Sequence, residues 1–303
     1  MRAVKIMLFS VLGATIAAVV ALIITSNVER GPAHTFRLVP TVSATSTQLS
    51  SDAAALVRRL QSLGYSDAQS QVVGNAIALT LYGSESQVND ALQGAISQAR
   101  FELRPVECAV PPYIPPTGEK RSRQPATTVA SACGARYLLS AAALQVDPRT
   151  GIPKNSNIHP DPSLAGTPST PAASEAESGS ALFAAGPTSS FDGERLLLGP
   201  AQVENGEIAS ASATHEGSNW SVNITFTTAG GKDLDSLAKK QFHAYIAICV
   251  DGEALSTPIV EPMSTSFGSL SGALKLSAAM TKSEALDLAD NLTSPLSVPL
   301  KVA

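Results

Sequence analysis

The stretch NWSVNITFTTAGGKDLDSLAKKQFHAYIAICVDG, residues 219–252, decides the fold. Trp220, Val222, Ile224 and Phe226 alternate strictly with polar residues, as a half-buried strand requires. Gly230-Gly231 reads as a turn, and Leu234, Leu237, Ala238 and Phe242 mark the face of a short helix. Residues 245–250 (YIAICV) are apolar without a break, which predicts a strand covered on both faces. Asp251-Gly252 then supplies a hairpin turn. Strands and helices alternate, so the class is α+β.

Towards the C-terminus, ALSTPIV returns from the hairpin. Thr281-x-x-Glu284 forms a capping box ahead of Ala285, Leu288, Ala289 and Leu292. Leu296, Val298, Leu300 and Val302 alternate as a closing strand. On the N-terminal side of the quoted stretch, RLLLGPAQV is apolar, Asn205-Gly206 turns, and 208–214 (IASASAT) is strand-like. A second ordered region precedes these. Residues 35–40 (TFRLVP) form a short strand, and Ser51-Asp52 opens a helix through Leu56, Leu60 and Leu63 that Gly64 ends. Residues 71–82 form a strand with Ile77, Leu79 and Leu81 on one side. Ser84-x-x-Gln87 caps a helix faced by Val88, Leu92 and Ile96, and FELRPV (101–106) closes this layer.

Between the two regions, 109–131 and 147–194 are rich in Pro, Ser, Thr and Ala and carry few large apolar residues. Such composition buries too little surface to offset its ordering entropy, so both read as loop or linker. RYLLSAAALQV (136–146) reads as a docked strand between them. Cys108 and Cys133 flank the first loop. In an oxidising compartment they are expected to pair, and closing about 26 residues is worth about 3 kcal/mol in the chain-entropy model. Cys249, inside YIAICV, is expected to be a buried small hydrophobe.

The C-terminal region resembles the first periplasmic domain of SecD, a translocon accessory subunit. The carrying segments are LLLGPAQVENGEIASASA (196–213), NWSVNITFTTAGGKDLDSLA (219–238), AYIAICVDGEALSTPIV (244–260) and SGALKLSAAMTKSEALDLADNL (271–292). Gly217-x-x-Trp220-x-Val222, the Asp251-Gly252 hairpin and Gly268-x-x-x-Gly272 follow one another in that family's order. The resemblance implies a SecD-like head subdomain at 195–303 and, less closely, a small ferredoxin-like base subdomain at 34–107. Residues 108–194 are then a Pro/Ser-rich insertion or linker. SecD proper continues into a bundle of transmembrane helices that partners SecF. The bundle has no counterpart here, so a complete proton-driven SecD is not expected.

Residues 6–28 (IMLFSVLGATIAAVVALIITSNV) carry no charge. Roughly 20 apolar residues cross a bilayer core of ~30 Å as a helix. Arg2 and Lys5 precede the run, so the N-terminus is expected in the cytoplasm and the bulk of the chain outside it. A cleaved signal peptide would show an apolar region of about 7–15 residues and a small-x-small site, and this run fits neither. Residues 1–28 therefore read as a transmembrane anchor in a single-pass bacterial membrane protein.

Charged residues are 15% of the chain and the net charge is −4, which excludes a nucleic-acid partner. His34, His159, His215 and His243 form no close pair, so no metal site is expected. Residues 268–272 (GSLSG) place Leu270 where a nucleophile elbow needs Ser. Gly230-Gly231-Lys232 lacks phosphate-loop spacing. Asp251 and Glu253 read as a solvated turn, not as a catalytic carboxylate pair. Trp220, the only Trp, reads as a core plug, with an exposed aromatic handle for unfolded chains as the functional counterpart. No catalytic residue, cofactor or turnover is expected. The reading is an extracytoplasmic SecD-like module that binds exported polypeptide or translocon components. The alternative is an envelope scaffold that reuses the head fold outside export.

Overall fold

The computed structural model describes residues 31–303 apart from 98, 115–132, 156–157, 171–178, 188 and 218. The anchor expected at 6–28 lies outside the described residues. Among these, no helix is long and apolar enough to cross a membrane.

The chain opens with β1 (Ala33–Pro40), α1 (Ser46–Ser62), β2 (Gln69–Val73), β3 (Ala76–Tyr82) and α2 (Glu85–Ile96). α1 starts a turn earlier than the Ser51-Asp52 signal suggested. Thr45 is its N-cap and forms a capping box with Gln48. Residues 71–82 are two strands, not one, because Gly74 takes φ +61° and turns the chain into a hairpin. α2 has the expected start, with the Ser84 N–H and hydroxyl both donating to Gln87 Oε1.

The next strand, β4 (Phe101–Val110), corrects the expected domain plan. It does not close the base. It runs through the second unit, pairing with residues 246–250 and 203–204 at its start and with 195–198 at its end. After it come the short hairpin β5 (Val146–Asp147) and β6 (Ile152–Pro153), then β7 (Ala181–Ala185), β8 (Arg195–Leu198) and β9 (Val203–Glu204). Residues 136–146 are not a docked strand. They hold a 3-10 turn at Ala135–Tyr137 and a helical turn at Ala141–Leu144 that leads into β5. The expected linker at 108–194 is also corrected, since β7 pairs with β8 on one side and with residues 253–254 on the other as an internal strand. Its sequence, ALFAA, buries Ala181, Leu182 and Phe183 completely or nearly so. Arg195 holds the preceding loop by donating to the carbonyls of Pro111, Leu164, Ala165 and Thr167. Low hydrophobicity averaged over a window hid these few well-paired residues.

The remaining elements are β10 (Ile208–Glu216), β11 (Asn219–Phe226), α3 (Thr228–Lys240), β12 (Ile246–Val250), β13 (Glu253–Ser256), β14 (Ala273–Met280), α4 (Lys282–Thr293) and β15 (Leu300–Val302). Gly230-Gly231 lies in the first turn of α3, not in a loop, with Thr227 capping the Gly230 N–H. A β-carbon on Gly230 would sit 2.7 Å from the Glu207 carbonyl oxygen, so glycine is needed for close approach. Asp251 and Gly252 have φ of +49° and +80°, the hairpin geometry their sequence demands.

Two units result. In the base, the sheet order is β15-β1-β3-β2 with every neighbour antiparallel. This is the ferredoxin-like order, but its fourth strand is β15 and not FELRPV. The head therefore sits as an insertion between α2 and the last strand of the base. Leu296, Val298 and Leu300 complete the base core with Leu38, Leu56, Leu60, Ile77, Leu79 and Leu92. In the head, β4, β12, β13, β7 and β8 close into a five-stranded barrel. Beside it stands the sheet β10-β11-β14. YIAICV serves both layers. Tyr245, Ala247 and Cys249 join the cluster with Phe183, Leu196 and Leu198, while Ile246 and Ile248 join Phe101, Leu103, Val222, Ile224, Leu234 and Leu292. Burial of each large aliphatic side chain contributes ~1.5–3 kcal/mol.

The units meet through polar clasps. The Arg59 guanidinium is buried and donates to Ala95 O at 2.7 Å and Ser97 O at 2.5 Å after α2. It also donates to Asn291 O and Ser294 O, at 3.4 and 2.7 Å, at the end of α4. One cation thus serves two helix C-termini, where carbonyls lack partners and the dipole favours positive charge. Burial lowers its pKa to about 10, leaving it protonated at neutral pH. Asp251 accepts from Ser97 Oγ at 2.6 Å, Ala99 N at 3.2 Å and Arg100 N at 2.8 Å. Asp251 is an exposed turn residue, as its sequence suggested, and it also clasps the hairpin to the base–head connection.

Candidate interaction surface

Cys108 and Cys133 are joined in a disulfide, with Cα atoms 6.2 Å apart. Cys108 is on barrel strand β4, so the bond fastens the segment after 132 to the barrel. Asp161 accepts from Gly134 N at 2.7 Å and from Ser163 N at 2.9 Å, holding the same segment in place. These are structural fastenings. Cys249 is buried in the barrel cluster.

The other residues singled out by sequence do not converge. His34 bonds the Gly83 carbonyl, His159 is exposed, and His215 stacks on Trp220 at 4.8 Å. Among the described residues, no group of three or more His, Cys, Asp or Glu is placed to hold a metal ion. Trp220 is half-buried at one end of β11, with Lys282 Nζ 5.9 Å from its ring centre. It is neither a full core plug nor a free handle. Buried Arg104 pairs with buried Glu102 at 2.7 Å and donates to the carbonyls of Gly179 and Gly199, which is internal bracing of the barrel. Asp287 and Asp290 on α4 each bury one carboxylate oxygen without a hydrogen-bond partner. Burial, followed by the charges of Asp290 and Glu284, raises the Asp287 pKa.

The surface that stands out is the loop 257–272 between β13 and β14. It is irregular but pinned. His243 Nε2 donates to Ser264 O at 2.8 Å, and Glu261 accepts from Gly268 N at 2.8 Å. Asp235 on α3 accepts from Ser269 Oγ at 2.6 Å and Leu270 N at 2.8 Å. Three non-glycine residues in and under the loop take left-handed backbone: His243 (φ 62°), Glu261 (φ 43°) and Ser271 (φ 57°). Such conformations cost about 1–3 kcal/mol each and persist where the surroundings over-determine them. Apolar groups on and beside this loop are exposed. Met263 is 68% exposed, and Ile152 on the neighbouring hairpin is 62% exposed. Gly151 and the Pro262-Met263 corner abut, since a β-carbon on Gly151 would lie 3.0 Å from Met263 Cγ. Phe267 is half-buried and meets Phe242 edge-on at 6.4 Å. On the other flank, Thr225, Thr228, Lys232, Asp235 and Ser269 line an open cleft of about 350 Å³ at the start of α3. A pinned loop presenting apolar side chains beside an open cleft of mixed lining suits contact with another chain. Periodicity could not reveal it, because its residues follow no repeat. The signal was Pro262-Met263, Phe267 and Leu270 scattered through a Ser/Gly-rich connection.

Residues 184–296, which span this loop, match the family model for the SecDF P1 head subdomain. That stretch is similar to this subdomain. Two solved structures share the fold. One is a crystal structure of SecDF in a super-membrane-facing form, with TM-score 0.54 and 21% identity over 90% of this chain and 30% of that one. The other comes from work on SecDF as a membrane component that enhances protein export, with TM-score 0.52 and 21% identity over 89% of this chain and 98% of that one. The chain thus spans less than a third of the first structure's length. No curated protein matches the sequence.

Proposed function

We propose that this protein is a membrane-anchored, extracytoplasmic SecD-like module that binds unfolded exported polypeptide at the head, without turnover. The observation that carries the reading is a coincidence of place. The head that matches the SecDF P1 model also contains the strained loop with exposed Met263 next to Ile152. Apolar side chains held outward make sequence-tolerant contacts, as a binder of many exported chains needs. The anchor at 6–28 keeps the head at the membrane where such chains emerge.

The test is photo-crosslinking in cells. A photo-reactive residue at Met263 or Ile152 of the full chain is expected to capture an exported protein arrested in transit, or a translocon subunit. Capture of only a cell-wall or other envelope partner makes the protein a scaffold outside export and overturns the reading.

A further inference from the structure

Among the described residues, the two open sheets of three or more strands leave four edge strands, and three of them carry guards. β15 is three residues long and bears exposed Lys301. β10 shifts register between Ile208 and Ser210 and ends in exposed His215 and Glu216. β14 carries Lys275, bonded to Glu216 at 2.5 Å. Shortness, a bulge and charge are the devices by which edges refuse a partner strand.

β2 has none of them. Its sequence, QSQVV, holds no charge and no proline, and its five pairs with β3 run without a register shift. α1 packs on one face of it, and the outer edge pairs with no strand among the described residues. Gln69, Gln71 and Val73 are exposed, Val73 at 55%.

We infer that β2 accepts an extended segment of another, unfolded polypeptide as a fifth strand of the base sheet. The length of β2 selects the occupant. An added strand of this size buries far less than the roughly 800 Å² per partner of a stable dimer, so a second copy is not favoured. Main-chain pairing instead suits transient capture of extended chain, with sequence entering only through alternate side chains. The inference rests on the reading that the protein binds unfolded polypeptide, and it adds a second contact on the base.

The test uses the purified full chain in detergent micelles, with a photo-reactive residue at Gln71 or, separately, at Met263. The probe is reduced, carboxymethylated α-lactalbumin, which stays unfolded, and the native folded form is the control. Crosslinking at Gln71 to the unfolded probe only, lost in Val73→Lys, is the expected result. An unchanged far-UV spectrum confirms that this exposed substitution leaves the fold intact. Crosslinking at Met263 alone overturns the edge inference and leaves the head reading standing. Crosslinking at Gln71 alone supports the edge and overturns the head as the contact. A Gln71 product that survives Val73→Lys, or joins two copies of this chain, overturns strand addition by unfolded polypeptide. Silence at both positions overturns both readings.

Discussion

Asp52 Oδ1 accepts hydrogen bonds from both the backbone N–H and the hydroxyl of Ser297, each at 2.7 Å, across 245 positions of sequence. The other carboxylate oxygen accepts from Val298 N at 3.3 Å. One buried acid thus positions the segment that leads into β15. Asp52→Ala leaves those donors unsatisfied and is expected to cost about 2–3 kcal/mol. The check is the midpoint of chemical denaturation.

Arg59→Met removes the cation shared by the ends of α2 and α4, and buried carbonyls lose their donors. A loss of about 3 kcal/mol or more is expected, with Arg59→Lys recovering part of it. Thermal unfolding of the two variants beside wild type measures this. Equal losses in both would mean that the planar, forked geometry is not what matters.

Asp287 gives a pH dependence with a defined sign. Its pKa is raised in the folded state by burial and then by Asp290 and Glu284. The group's contribution to stability is complete below the ordinary carboxylate range and is lost as pH rises through the raised value. Asp287→Asn should therefore stabilise at pH 7, modestly because solvent screens the partly exposed group, and the gain should vanish near pH 3. Denaturation at both pH values decides it, and a gain that persists in acid would refute the assignment.

Reduction of Cys108–Cys133 frees the segment after 132 from β4. The loss is expected to be about 3 kcal/mol in the chain-entropy model. Unfolding with and without reductant is the measurement, and the linked peptides should appear by mass spectrometry before reduction.

Phe183→Ala tests whether β7 belongs to the barrel. The ring is fully buried and lies 5.7 Å from the Arg104 guanidinium. A loss of about 3–5 kcal/mol is expected. A near-neutral result would return 181–185 to the status of a loop.

Local signals in the sequence read well. The alternation at 220–226, the two-sided strand 246–250, the Asp251-Gly252 turn and the capping boxes at Ser84 and Thr281 all appear where expected. Several of the errors share one cause, because a strand's neighbours are not written in its own residues. FELRPV reads as a strand, but nothing in it says that it pairs with 246–250 and not with 35–40. Asp52 looked like a helix start because Asp favours that position, yet its partner is Ser297. Gly230-Gly231 looked like a turn because the need for close approach to Glu207 is a tertiary fact. The loop 257–272 was illegible for the same reason, since tertiary bonds from Asp235 and His243 hold its shape.

The placement of β15 sets an order of events for a chain that emerges from its N-terminus. β1 appears early and must wait beside an unfilled sheet position until Leu300–Val302 arrive. By then every strand of the barrel is out, so the head can fold while the base is still incomplete. Final docking of β15 acts as a latch that closes the base only after the strands of the head have been delivered. A chain halted before Leu300 would expose β1 as a second receptive edge, distinguishable from the finished molecule by protease sensitivity confined to the base.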